Sequence, residues 1–299
     1  MEFRKIQFTG RSSYIISLPK KWVLENGLKQ GDTVPLSVNP DGSITIHPGE
    51  PRSVSESKRL TISSEYSPDM AVRLVISVYI QGYDTLEIEF AEELPQYKVK
   101  IRKTLQNLPG VEILSEEPSR IVVKSFLDEE EIDLIEILSR LGSIVISMLE
   151  DLALMREFQD KALSRDINDL ENELDRFYFL AIRAVNKAFS YRSSGGRGSF
   201  DLIGLLFIVR NVERIGDHIL RISQNFDEEL DIEELKHYFS EMMKQVERRD
   251  LKKIDRLMAE LKDRIKSIDY RSSVSMDSYR RILEYLENIG ETIINMSMS

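Results

Sequence analysis

Apolar and polar residues alternate with a period of two in short bursts at the start of the chain. This pattern predicts strands over residues 5–8, 14–18, 33–38 and 43–46, with turns at Thr9-Gly10 and Asp41-Gly42. Between the middle two, Pro19 at a first helical position predicts a short helix over 20–25 that Gly27 closes. Residues 48–58 (Pro-Gly-Glu-Pro-Arg-Ser-Val-Ser-Glu-Ser-Lys) are polar and breaker-rich, which predicts a linker and a domain boundary. The next stretch mixes both periods: a strand over 60–63, a helix over 69–81, a strand over 85–90, a helix over 96–106, and strands over 111–114 and 120–126. Beyond Asp128, read as an N-cap followed by acidic first-turn residues, the period becomes helical almost to the end. Helices are predicted at 129–158, 162–191, 200–226, 231–247, 250–268 and 276–297, with Ser-Ser-Gly-Gly-Arg-Gly-Ser at 193–199 parting the second from the third. The predicted chain is therefore multidomain: a small β domain over 1–48, a small α+β middle domain over 59–127 and an all-α bundle over 128–299.

Length and composition fit this division. A chain of 299 residues exceeds the size at which one core stops growing, and 41% hydrophobic with 31% charged residues is ordinary for a folded protein. About fifty residues bury too little apolar surface to fold alone, so the first domain is expected to be an intertwined dimer. The longest apolar run, Leu202 to Val209, is far short of the roughly 18 to 20 residues of a membrane span, and the residues after Met1 do not form a secretory leader. A cytoplasmic, non-membrane protein is expected. With no cysteine and only His47, His218 and His237, a metal site has to be built mainly from carboxylate oxygens, which favours hard or borderline cations. The net charge of −10 opposes nucleic-acid binding over the whole surface. However, from Met1 to Gly31 six basic residues stand against two acidic ones, so the amino end is the natural place for DNA.

Candidate chemistry concentrates on the third helix of the bundle. It reads Asn-Val-Glu213-Arg214-Ile-Gly216-Asp217-His218, with Glu213 and Asp217 one turn apart and in phase with the apolar stripe Leu202, Leu206, Val209 and Leu220. Unpaired carboxylates on such a stripe would cost several kcal/mol unless protons, basic side chains such as Arg214 or a bound cation compensate, and a bound cation is the functional explanation. Glu171 and Asp175 on the second helix form another pair, and Glu287 and Glu291 on the last a third. The sequence Glu287-Asn-Ile-Gly290-Glu291 echoes Glu213-Arg-Ile-Gly216-Asp217, which points to a duplicated three-helix unit with close backbone approach at both glycines. His218 is either a core-edge histidine or a hydrogen-bonding support for such a site. No Glu-x-x-His or His-Glu-x-x-His motif is present, and the middle domain shows no phosphate loop or nucleophile elbow.

These residues resemble two families. Asn211 to Ile222 looks like the signature helix of PhoU proteins, and Leu170-Glu-Asn-Glu-Leu-Asp175 is similar to the PhoU helix before it, a likeness covering about residues 128–298. The resemblance implies two three-helix units, E/D-x-x-x-D motifs that hold multinuclear iron or zinc, and a non-catalytic role restraining phosphate uptake. Glu171, Asp175, Glu213 and Asp217 match the motifs, whereas the last helix has Glu291 where Asp is usual and the fifth helix has no such pair. Gly10-Arg-Ser-Ser-Tyr14, Leu18-Pro-Lys-Lys-Trp22 and Gly31-Asp-Thr-Val34 resemble the AbrB or SpoVT swapped-hairpin family. That likeness implies a homodimer presenting Arg4, Lys5, Arg11, Lys20 and Lys21 to DNA, mostly to phosphates. The expected function is a regulator of phosphate uptake or phosphate signalling, with a phosphate ABC transporter or a signalling kinase as partner. A metal-dependent phosphohydrolase and a transporter adaptor that does not touch DNA are the alternatives.

Overall fold

The computed structural model describes residues 3–10, 13–38, 42–48, 56–128, 132–158, 162–191, 197–225 and 230–298. The chain divides into two compact units, Met1–Val54 and Ser55–Ser299. In the first, β1 (Gln7–Thr9) pairs antiparallel with β2 (Ser13–Ile15), and β3 (Leu36–Val38) pairs antiparallel with β4 (Ile44–Ile46). Helix α1 (Lys20–Glu25) stands between the hairpins, with Pro19 at its N-cap and Gly27 beyond its end at φ +66°. The four strands and the helix fall where the alternation predicts them, each strand shorter by one to three residues. None of the described residues of this unit is buried.

The second unit opens with an α+β layer. Its sheet has the order β5-β6-β8-β7, where β5 (Ser57–Ile62) runs parallel to β6 (Thr85–Phe90), and β8 (Arg120–Ser125) is antiparallel to both β6 and β7 (Val111–Glu117). Helices α2 (Pro68–Ile80) and α3 (Pro95–Asn107) cover one face, against Ile62, Leu86, Ile88, Phe90, Ile121 and Val123. Ser67 caps α2 by accepting from the Met70 N–H at 3.1 Å, with Pro68 at the first helical position. On the other face, side chains such as Arg59 and Glu87 pair across strands at 3.2 Å. Strand β5 begins at Ser57, inside the stretch predicted as linker, because Ser57 and Lys58 pair with Thr85 and Leu86.

Six helices follow: α4 (Leu134–Phe158), α5 (Leu163–Tyr191), α6 (Arg197–Gln224), α7 (Ile232–Arg248), α8 (Leu251–Ser267) and α9 (Val274–Ser297). They form two consecutive three-helix units, α4–α6 and α7–α9, joined along α6 and α9 and sharing one apolar core. The cap of α4 is not Asp128 as predicted. Asp133 does this work, its carboxylate accepting from the Ile135 N–H at 2.8 Å, so the helix starts five residues later than the sequence pattern suggests. Conversely, α6 starts at Arg197, within the Gly-rich stretch read as a break. Asp231, Asp250 and Ser273 cap α7, α8 and α9. No helix among the described residues is long and apolar enough to cross a membrane.

Candidate functional site

Helices α5 and α6 meet at Gly216. A Cβ placed there would lie 2.1 Å from Leu174 Cδ2, so any larger residue would force the Leu174 side chain to move. The two acidic pairs flank the crossing: Glu171 and Asp175 on either side of Leu174, Glu213 and Asp217 on either side of Gly216.

Glu213 is 8% exposed, and its Oε2 is buried with no hydrogen-bond partner. The Arg210 and Arg214 guanidinium groups each come within 3.6 Å of that oxygen, and Arg214 pairs with Asp217 at 3.1 Å. Burial first, then the Asp217 charge, pushes the Glu213 carboxyl up to about 7 against the pull of the two arginines. Asp175 is likewise pushed up to about 7 by burial, then by Glu171 and Asp217, again opposed by Arg210 and Arg214. Burial, followed by the charges of Asp217 and Glu213, also raises Glu171. Beside the seam between α5 and α6, Glu171, Asp175 and Glu213 thus each feel the charge of other acids of the two pairs. Two guanidiniums against four acids leave this seam short of positive charge.

Of the compensations expected on the apolar stripe, the arginine pairing is present here. The donors are oxygens only, suited to hard or borderline cations, and the orphaned Glu213 oxygen is the kind of buried acceptor an ion would satisfy. As arranged, however, no group of three or more acidic or imidazole side chains among the described residues converges closely enough to hold one. A cation there requires the carboxylates to close on it.

Arg210 was not singled out in the sequence, although its place three residues before Glu213 is a signal for an i,i+3 pair. It also donates to the Tyr178 hydroxyl at 2.6 Å, one turn beyond Asp175. His218 is half-buried on the side of α6 that meets α9, its ring 5.7 Å from that of Tyr285. Its Nδ1 is buried without a partner, and burial together with Arg221 holds its pKa below the ordinary histidine value. This is the core-edge histidine.

The second three-helix unit repeats the crossing without the chemistry. Gly290 lies against Met258 of α8, where a Cβ would be 3.1 Å from the Met258 Cγ and Sδ. With Met258 in the place of Leu174, Asp255 and Ala259 stand where Glu171 and Asp175 stand, and Asp255 is exposed. Glu287 is half-buried and Glu291 exposed, so this pair has no opposing pair of acids.

In the first unit, Arg4 and Lys5 are exposed just before β1, and Lys20 and Lys21 are exposed at the start of α1. Lys21 lies 3.8 Å from Glu25 across the solvated face of that helix. Arg11 lies outside the described residues. The hairpins leave Phe8, Ile15, Leu36 and Val38 exposed, with the Phe8 and Tyr14 rings 5.1 Å apart across β1 and β2.

Residues 138–226 match the family model of the PhoU domain, and residues 7–55 match that of "Antidote-toxin recognition MazE, bacterial antitoxin". The first match spans nearly all of α4–α6 and both acidic pairs of the seam. The second spans both hairpins. Both likenesses expected from the motifs are thereby borne out. No curated protein matches the chain. Among solved structures, PhoU from Pseudomonas aeruginosa is similar at 15% identity and a TM-score of 0.48, over 57% of this chain and 97% of that one.

Proposed function

We propose that the chain is a regulator in which a cation-binding seam between α5 and α6 reports phosphate status to a dimeric, DNA-binding amino-terminal unit. The PhoU-domain match supports a role in phosphate regulation. The observation that carries the cation is the buried Glu213 oxygen that accepts no hydrogen bond and has only the Arg210 and Arg214 guanidiniums at 3.6 Å, with further acids near enough to raise its carboxyl. Iron or zinc, bound by Glu171, Asp175, Glu213 and Asp217, would neutralise them and displace Arg210 and Arg214 from the seam. The MazE-type match supports dimerisation through residues 7–55, and with it DNA binding by Arg4, Lys5, Arg11, Lys20 and Lys21. On this reading the protein is a cytoplasmic regulator and not an enzyme, and its partners beyond DNA are a phosphate ABC transporter or a signalling kinase.

Elemental analysis of the full chain, purified without chelator or histidine tag, tests the cation. About one equivalent or more of iron or zinc per chain is expected, lost in the Glu213→Ala, Asp217→Ala double variant. A metal-free native protein that also takes up none on dialysis against either ion would sink this reading.

A further inference from the structure

Strand β5 forms one edge of its sheet, and its outer side is bare. The carbonyls of Glu56 and Ile62 turn towards β6, accepting from the Thr85 N–H at 3.1 Å and the Ala91 N–H at 2.9 Å. The two backbone groups of a strand residue point to the same side, and the side alternates along the strand, so Ser57, Arg59 and Thr61 aim their N–H and C=O groups outward. All three residues are exposed, and no strand among the described residues pairs with them on that side. Such a row of free donors and acceptors is a template for another strand.

Proteins ordinarily guard an edge of this kind with a proline, a bulge or an outstanding charge. The opposite edge, β7, carries a bulge between Ile113 and Ser115. Strand β5 has no proline and pairs with β6 without a register shift. Its two cations are drawn back from the edge: Arg59 lies 3.2 Å from Glu87 and 3.6 Å from Glu89, and Lys58 Nζ is 5.8 Å from the centre of the Tyr83 ring.

We infer that β5 pairs antiparallel with β5 of a second copy and continues the sheet across the dimer, an inference that rests on the amino-terminal dimer proposed above. Register is the first reason for that occupant. Centring the pair on Arg59 would set two guanidiniums opposite each other, and centring it on Thr61 would overlap only Leu60 to Ile62 of the strand. Centred on Leu60, the overlap runs from Lys58 to Ile62, with Arg59 opposite Thr61, Lys58 opposite Ile62 and Leu60 opposite Leu60, so no like charges meet. Every such pair joins residues of the same face, which keeps the helix-covered faces of both sheets on one side. The tether is the second reason. Strand β4 ends at Ile46 and β5 begins at Ser57, a stretch that reaches at most about 40 Å when fully extended. Joining two chains through residues 7–55 therefore holds one β5 edge near the other at an effective concentration of about the mM range. A single short strand pair buries far less than the roughly 1,200 Å² of a stable specific interface, so the pairing follows the amino-terminal dimer and does not replace it.

The test uses the full-length protein. Amide exchange at Arg59 and Thr61 should be slower in the native protein than in a variant made monomeric at the hairpins, Ile15→Lys with Leu36→Lys, by roughly fivefold or more, the protection that one added hydrogen bond gives. The chain has no cysteine, so Leu60→Cys gives each copy one thiol. In the register above, the two residues at position 60 form a non-hydrogen-bonded pair with Cα atoms about 4.5 Å apart, within disulfide reach, and mild oxidation is expected to yield a covalent dimer. Leu114→Cys, exposed on β7, should stay uncrosslinked. Thr61→Pro added to Leu60→Cys removes an outward N–H and leaves the β5–β6 ladder intact, so it should abolish the crosslink while sedimentation velocity still finds a dimer. A native dimer without the amide protection overturns the β5 pairing and leaves the amino-terminal dimer standing. Protection without the residue-60 disulfide in a dimeric Leu60→Cys protein means that another segment covers the edge, and overturns the pairing too. Crosslinking that proceeds equally fast when Ile15→Lys and Leu36→Lys are added is collisional and also refutes it. A native monomer overturns both the amino-terminal dimer and the pairing built on it.

Discussion

Glu213 and Asp175 oppose folding when they ionise in place, and the sign of the effect can be measured. Their carboxyls sit at about 7 in the folded chain, against ordinary values of 4.5 and 3.8. The folded state therefore binds more protons than the unfolded one between those limits, so their contribution to stability is fully present below about pH 4 and is lost as pH rises through about 7. In chelator, the melting temperature of the Asp175→Asn, Glu213→Gln variant should fall less between pH 5 and pH 8 than that of the native protein, with the variant the more stable at pH 8. Parallel curves for the two proteins would mean that the seam is solvated after all. Gly216 makes a second residue-scale case. Alanine in a helix ordinarily gains about 1 kcal/mol over glycine, but a methyl 2.1 Å from Leu174 overpacks a buried crossing at a typical cost of about 1–3 kcal/mol. Gly216→Ala should therefore lower the urea midpoint, and in a double-mutant cycle with Leu174→Ala the double variant should lose less than the sum of the two single losses. Gly290→Ala faces only the adaptable thioethers of Met258 and Met242 at 3.1–3.2 Å and should be close to neutral. At this scale the sequence was informative where spacing is local: the i,i+4 acids and the paired glycines could be read directly. The opposing helix could not, because no local pattern states that Leu174 lands on Gly216, or that Arg210 turns towards Glu213 and Tyr178.

Among the elements, type was legible and boundaries were not, for identifiable reasons. Asp128, followed by three acids, is as good a cap by composition as Asp133, and what decides between them is where the first apolar residues of α4 meet the core. The alternation starts β5 late because Ser57 and Lys58 are polar, yet a parallel neighbour, β6, gives their backbone groups partners whatever their side chains. The internal echo was real as packing, since both glycines sit at close crossings, but it did not carry chemistry into α8 and α9, where Ala259 and the exposed Asp255 replace the acids of α5. The Glu287→Ala, Glu291→Ala variant is accordingly expected to keep the metal content and melting temperature of the native chain, measured side by side with Glu213→Ala. Loss of metal in the former would place a second centre where the helix register argues against one.

The whole molecule poses the question of what holds its first fifty residues together. Isolated two-stranded hairpins are marginal in water, and here each hairpin leaves its apolar residues in solvent, with Phe8 61%, Ile15 50%, Leu36 57% and Val38 72% exposed. The second unit has two apolar cores of its own. A second copy that covers these strands would resolve the imbalance, as the sequence anticipates through the shortness of the segment and its likeness to the swapped-hairpin family. Ile15→Lys with Leu36→Lys should convert the protein from dimer to monomer in sedimentation velocity, while the cooperative unfolding of the second unit stays in place. DNA binding should fall with the dimer, because two weakly basic units must act together to offset a chain of net charge −10. Replacing Lys20 and Lys21 with alanine leaves the strands alone and should keep the dimer. It is expected to reduce the log–log salt dependence of duplex binding by about one for each phosphate contact removed. A dimer whose duplex affinity and salt slope are unaffected by the lysine change would make the first unit a dimerisation module alone, and would assign the output of the seam to a protein partner.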